Sequence, residues 1–360
     1  MPDLWPYVPM PDIRESVVWQ TNVIRSGNDE MRFSLNDGMQ RFQYDFSLSA
    51  RFQEAAALLR ANPYGPWDVP VWHQSSKAGP VSPSDTSLTV DLNAEYTDRA
   101  VIFGGCDDYI IADISSITTT LNLSAPVGRA FTNPTVAPLR SCLLPNGASI
   151  SKALRNNVSL QMEFLSQEDF PASGSGYQVL DALPYLKCSV AILGPLSGMI
   201  RHPVTVIDNG YGPPVLVESR NVLDHTYSVT VAHSDTGESK AFRAFLGDIR
   251  GRDGAFWIAD WEGVLGSALN GATSLDFQQK ALDPTDYVDR FLSFGAEVRV
   301  VRTATDLGGG AHRVTFDAIT ADAPVVRFLR KVRLDTDTIN FTHRRGLASR
   351  ASFSVIEVTE

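Results

Sequence analysis

The feature that most restricts how this chain can fold is that it is written twice. Asp98, Arg99, Phe103 and Gly104 of DRAVIFG return as Asp289, Arg290, Phe294 and Gly295 of DRFLSFG, an offset of 289 − 98 = 191. Upstream, Trp67 and Trp72 are matched by Trp257 and Trp261, at 257 − 67 = 190 and 261 − 72 = 189. Downstream, Leu139 and Arg140 are matched by Leu329 and Arg330 at 329 − 139 = 190, with Leu144 and Leu334 following. Three anchors in one order at nearly constant spacing point to a tandem duplication, so the fold must be one that the chain completes twice.

The periodicity between the anchors repeats as well. Phe42, Tyr44, Phe46 and Leu48 alternate with mostly polar neighbours, as do Tyr227, Val229 and Val231, so a half-buried strand opens each copy. Phe52, Ala55, Ala56 and Leu59, and then Phe242, Phe245, Leu246 and Ile249, fall at helical spacing and predict one short helix per copy. Turns at 62–66 and 250–254 lead into the tryptophan strands. Gly308, Gly309 and Gly310 between valine-rich runs predict a hairpin, and short strands near 159–165 and 352–358 close the copies.

These patterns predict an N-terminal arm at 1–12, a first domain at 13–167, a Pro, Ser and Gly-containing linker at 168–195, and a second domain at 196–360. The expected class is mainly β, with two tandem homologous domains, each a β-barrel or β-sandwich carrying one short helix. Closure is favoured because short strands with frequent turns leave many edges to hide.

Composition removes several functions. The net charge is −10 and no basic block stands out, which argues against sequence-specific DNA binding and anionic membranes as partners. No apolar run approaches the roughly 18 residues of a membrane span, and the first residues lack the layout of a secretory signal, so synthesis is expected to end in the cytoplasm. Cys106, Cys142 and Cys188 are odd in number and far apart, which suits buried free thiols.

No catalytic signature is present: there is no H-E-x-x-H, G-x-S-x-G, P-loop or G-x-G-x-x-G after a strand. The six histidines, 73, 202, 225, 233, 312 and 343, show no ligand spacing, and His233-Ser234-Asp235 suits a solvated turn better than a metal. Asp107-Asp108 and Glu168-Asp169 are expected to be surface charge, as adjacent acids on a strand point to opposite faces. Lys152, Arg155, Arg344 and Arg345 suit solvated ion pairs. The expectation is therefore no catalytic residue, cofactor or metal. Trp67, Trp72, Trp257 and Trp261 suit core or subunit-contact positions better than a sugar-stacking platform.

The opening, W5-P-x-V-P followed by residues 17–48, resembles the N-terminal region of tail-tip proteins of long-tailed bacteriophages and gene transfer agents. Trp19, Thr21, Asn22, Val23, Glu30, Arg32, Phe42, Tyr44 and Phe46 carry the resemblance, with Asn22 where Asp is commoner. Residues 329–358 resemble the end of such proteins. The resemblance implies a virion protein of distal-tail or baseplate-hub type, built from tail-tube-like domains. The implied partners are the tail tube above and other hub or fibre proteins below. Two domains per chain allow a homotrimeric ring to offer six similar units to a six-fold tube while remaining three-fold below; a hexamer is the alternative. Three copies would carry 3 × −10 = −30, which would repel rather than retain DNA in transit through the lumen. The competing expectations are a carbohydrate-binding or receptor-adhesion module with exposed tryptophans, and a β-rich cell-wall hydrolase.

Overall fold

Alternation of aromatic and polar residues builds the central strand of each half. The structure, a computed structural model, describes residues 3–26, 29–153, 157–170, 176–187, 191–192, 197–201, 204–208, 210, 213–218, 224–260, 263–278, 283–295, 297–344 and 349–358. In the first half the principal elements are β1 (Asp12–Val18), β2 (Met39–Ser47), α1 (Phe52–Ala61), β3 (Trp67–Pro70), β4 (Arg99–Gly105), β5 (Asp108–Ile117), β6 (Thr135–Leu143), β7 (Ala148–Ala153) and β8 (Asn157–Asp169). In the second they are β9 (Ser197–Arg201), β10 (Asp224–His233), α2 (Thr236–Ile249), β11 (Ala255–Ala259), β12 (Phe291–Phe294), β13 (Glu297–Val300), β14 (Ala323–Leu334), β15 (Thr338–Arg344) and β16 (Ser349–Glu357). The protein is mainly β, with α1 and α2 the two α-helices among the described residues.

The pairings of the first half recur in the second with every strand number raised by eight. In the first, β2 lies between β1 and β8, and β8 also pairs with β7 and β6. Strand β6 continues to β3 and β4, and β4 to β5. In the second, β10 lies between β9 and β16, and β16 also pairs with β15 and β14. Strand β14 continues to β11 and β12, and β12 to β13. All these pairs are antiparallel, and in each half a short strand, Asp3–Leu4 or Leu183–Leu186, enters parallel to the β3 or β11 strand.

Each half also carries a side layer. Residues 121–123 pair with the end of β5 and with 87–88, and residues 311–315 pair with 303–308 and with 274–278. The 303–308/311–315 hairpin turns at Gly309 and Gly310, whose φ values of 67° and 82° are those a two-residue hairpin loop demands.

Two expectations change. The arm expected at 1–12 is packed against the first half in its described part, residues 3–12: Trp5 is wholly buried, with its ring 5.6 Å from Trp67 and 5.1 Å from Tyr7, and Trp5 N donates to Asp68 O. The prolines of this stretch keep the chain extended against β3 without ending its burial. Similarly, the span 168–195 contributes Tyr185 and Leu186 to the interior of the second half, because Leu183–Leu186 lies beside β11.

The tryptophan anchors are also out of step by one residue. Trp67 faces Cys142 on β6, and the counterpart of Cys142 on β14 is Val332, which faces Phe256. Trp67 and Phe256 are both fully buried, whereas Trp257 is half-buried against Phe291 and donates its indole N–H to Leu180 O. Trp72 is buried and Trp261 lies outside the described residues. A truncation at Trp5 should therefore be costly: Trp5→Ala is expected to lower unfolding stability by about 3–5 kcal/mol, against about 1–2 kcal/mol for Trp257→Ala. Urea unfolding measures both, and equal losses would contradict this packing.

Candidate functional site

The distinctive site is the seam where the two halves meet, and β1 creates it. The sequence DIRESVV alternates, so Ile13, Glu15 and Val17 share one buried face. Besides β2, β1 pairs antiparallel with β15 of the second half, from Asp12 opposite Arg344 to Val18 opposite Thr338. Ile13 packs into the first core with Phe42, Tyr44 and Trp67, while Val17 packs into the second with Phe242, Phe256 and Ile339. Glu15 falls between the two cores.

Its charge is met by α2. Asp235 caps that helix by accepting from Glu238 N at 2.8 Å, and Glu238 reaches back to Ser234 N at 3.0 Å. His233-Ser234-Asp235 is thus a helix start. Two turns on, Arg243 is buried and donates to both Glu15 oxygens at 2.8 and 2.7 Å and to both Glu95 oxygens at 2.6 and 2.9 Å. The rings of Phe170 and Phe341 lie 5.0 and 5.6 Å from the guanidinium carbon. Gln40 donates to Glu15 and Gln74 to Glu95. His343 Nε2 lies 2.9 Å from Glu15 Oε2, and the His343 ring stacks on His73 with centroids 3.9 Å apart.

Burial would raise the Glu15 carboxyl, but Arg243, the His343 hydrogen bond and the neighbouring histidines outweigh it and hold that group well below its ordinary range. Burial would lower the Arg243 guanidinium, but Glu15 and Glu95 outweigh it and leave Arg243 more firmly protonated than usual. Burial and the adjacent His343 push His73 far down, and burial lowers His233 to about 4.

Glu15, His73 and His343 offer three ligand atoms within 4.8 Å of one another, a grouping invisible in the sequence because residues 15, 73 and 343 are distant along it. The surroundings fit a cation poorly. Both Glu15 oxygens already face the Arg243 guanidinium, whose positive charge would repel a metal. The arrangement works as a charged clamp between halves. Thr21 donating to Asp337 at 2.7 Å, Thr236 donating to Asp91 at 2.6 Å and Lys240 donating to Leu92 O at 3.2 Å extend it.

The sequence anchors divide into two kinds. Leu139 and Leu329 are buried, and Arg140 and Arg330 hold the matching place on β6 and β14. Each arginine also lies near a closing-strand carboxylate, Glu168 at 3.4 Å and Glu357 at 2.9 Å. The aspartate, arginine, phenylalanine and glycine anchors part company. Arg99 grips Asp68 through two 2.6 Å bonds, whereas Arg290 is exposed and lies over Tyr287. Asp98 is exposed with ordinary backbone, while Asp289 has φ 67°. Phe103 and Phe294 are buried, but Gly104 lies within β4 and Gly295 turns the chain at φ 72°.

Among the other candidates, Asp107 sits in the β4–β5 turn paired to Arg51, and Asp108 pairs with Arg129. Cys142 is buried, Cys106 half-buried, and Cys188 lies outside the described residues. Among the described residues, no helix is long and apolar enough to cross a membrane. Compared with known proteins, the chain matches no family model and no curated sequence.

Two outcomes follow from the clamp. Arg243→Met leaves Glu15 and Glu95 buried without their cation and is expected to cost about 3–5 kcal/mol, read from urea midpoints; a loss below about 1 kcal/mol would mean the pair is solvated. His73 and His233 have folded values below the ordinary 6.5, so the unfolded chain binds more protons beneath it. Stability should be flat near pH 7, fall from about 6.5 towards 4, and fall further as Glu15 protonates. Thermal melts across that range showing no decline would contradict neutral, buried imidazoles.

Proposed function

We propose that this chain is a ring-forming structural protein of the tail tip of a long-tailed phage or gene transfer agent, of distal-tail or hub type. In this reading, its halves are duplicated tube-like β domains, each closing towards a barrel. Three copies present six similar units to the tail tube, bind other tip proteins below and let DNA pass. The observation that carries the reading is the recurrence of one strand-pairing scheme in both halves, joined β1 to β15. Two halves linked edge to edge are already neighbouring members of a ring with twice as many units as chains.

Further features support it. After β1 and β9, each half extends a hairpin of antiparallel strands, Thr21–Ser26 with Asp29–Ser34 and Val204–Ile207 with Val215–Glu218, that pair outside the main sheet. Both hairpins expose large apolar side chains, among them Ile24, Met31 and Phe33 in the first and Val206, Val215 and Leu216 in the second. Apolar surface repeated at equivalent places suits contacts with an adjoining ring. The −10 charge suits a conduit that must not retain phosphate. Burial of Trp67 and Trp72 takes the first pair of tryptophans out of the platform that the sugar-stacking alternative needs.

The test is gold-labelled antibody against this chain on intact particles viewed by negative-stain microscopy. Label at the tail tip supports the assignment, and label on the capsid or no particle association overturns it. Met31→Lys with Leu216→Lys should leave melting temperature unchanged, since both side chains are exposed, yet abolish co-assembly with the tail tube. Retained co-assembly would contradict the docking role of the hairpins.

A further inference from the structure

We infer that a second copy of this chain docks on the two edges of the main sheet that have no partner strand among the described residues, β7 of one copy pairing antiparallel with β9 of the next. The inference rests on the ring reading for closure, but the contact itself is taken from the intramolecular seam. The main sheet runs β9, β10, β16, β15, β1, β2, β8, β7 through hydrogen-bonded neighbours. Its centre is the β15–β1 join. By the pairing scheme, β7 is the counterpart of β15 and β9 the counterpart of β1. The two ends of the sheet are therefore the same two edges that already fit each other inside the chain.

The register can be carried over. Gln43 on β2 faces Arg14, and Ser228 on β10 faces Ser197, which matches Arg14 to Ser197 and Ser16 to Met199. Met162 on β8 faces Ala148, while Asn340 on β15 faces Ser352 of β16, one residue before the Phe353 that corresponds to Met162. That correspondence follows from Tyr44 facing Met162 and Val229 facing Phe353. Ser149 is then the equivalent of Asn340. Within the chain Ser16 faces Asn340, so between chains Met199 should face Ser149, with Ser197 opposite Ser151.

Physical signs on both edges agree. An edge strand that stays unpaired is commonly guarded by proline, a bulge or several charges. Here β7 reads ASISKA, with Ile150 59% exposed, and β9 reads SGMIR, with Met199 57% exposed. The helices tell the same story. On α2, Arg243, Ala244 and Gly247 are covered, in part by residues 91–95 of the first half. On α1, with Phe52 aligned to Phe242, the corresponding Gln53, Glu54 and Ala57 are exposed. A neighbouring second half placed on β7 would cover α1 with its segment between β11 and β12. An edge-to-edge contact of unlike edges is heterologous, so it propagates until it closes.

The experiment is thiol crosslinking of the full chain carrying Ser149→Cys and Met199→Cys, using a short bifunctional maleimide, with native mass measured in parallel. Each single variant serves as a control for the native cysteines. The double variant is expected to give covalent multimers ending at one closed size equal to the native mass, and either single variant to lose that product entirely. An assembled ring that is not crosslinked in the double variant overturns the edge assignment while leaving the ring reading standing. Dimers from Ser149→Cys alone would show β7 meeting β7 and likewise overturn it. A chain that stays monomeric at the crosslinking concentration overturns the ring reading and this inference with it.

Discussion

The structure depends on a single strand serving two cores. Ile13 and Val17, four residues apart on one face of β1, seal different halves, and Glu15 between them is neutralised by an arginine from α2. Burying this charge is costly by itself, and apolar residues of similar volume could stabilise the seam as well or better. What the charge adds is register. A slip of one residue along β15 would turn Ile13, Glu15 and Val17 outwards together and strand Arg243 among Phe170 and Phe341. The seam is thus fixed at one alignment, and the relative placement of the halves follows from it.

Around that seam the halves share a strand-pairing scheme and differ in chemistry. Trp67 gives way to Phe256 at the matching sheet position, and the short parallel strand brings Trp5 to one core and Leu186 to the other. Such exchanges are tolerated when core volume and pattern are preserved. The helices differ markedly: α2 carries the clamp and is largely buried, while α1 has Ala55 buried and an exposed outer face. Among the described residues, the outer face of α2 is covered by the other half and that of α1 is exposed. Trp19 marks the same asymmetry, since it directly follows β1 yet packs in the second core, seated where Gly251 at φ 68° allows an approach that a Cβ would block at 2.8 Å.

Much of this was legible in the sequence, for identifiable reasons. Alternation at 42–48 and 227–231 and helical spacing at 52–59 and 242–249 are local signals, and they mark β2, β10, α1 and α2. Leu139-Arg140 and Leu329-Arg330 locate matching strands because both sit where β6 and β14 meet the β3 and β11 strands. The tryptophans misled by one residue, because indoles are conspicuous whether they fill a core, as Trp67 does, or cover one, as Trp257 does. The prolines at the start and the glycines and serines near 171–176 suggest arm and linker, yet burial of Trp5, Tyr185 and Leu186 depends on the strands of Trp67 and Trp257, more than 60 residues away. The clamp was illegible for the same reason: Glu15, His73, Glu95, Arg243 and His343 share no spacing, and only the β1–β15 pairing assembles them.

The central claim is that the two halves are neighbouring units of one repeating wall. End-on electron-microscopy class averages of the purified chain, at concentrations where it assembles, test this most directly. The account predicts a closed ring with an open centre and twice as many similar lobes as chains, six for a trimer. A compact particle without a central opening, or a ring whose lobe count equals its chain count, would contradict it.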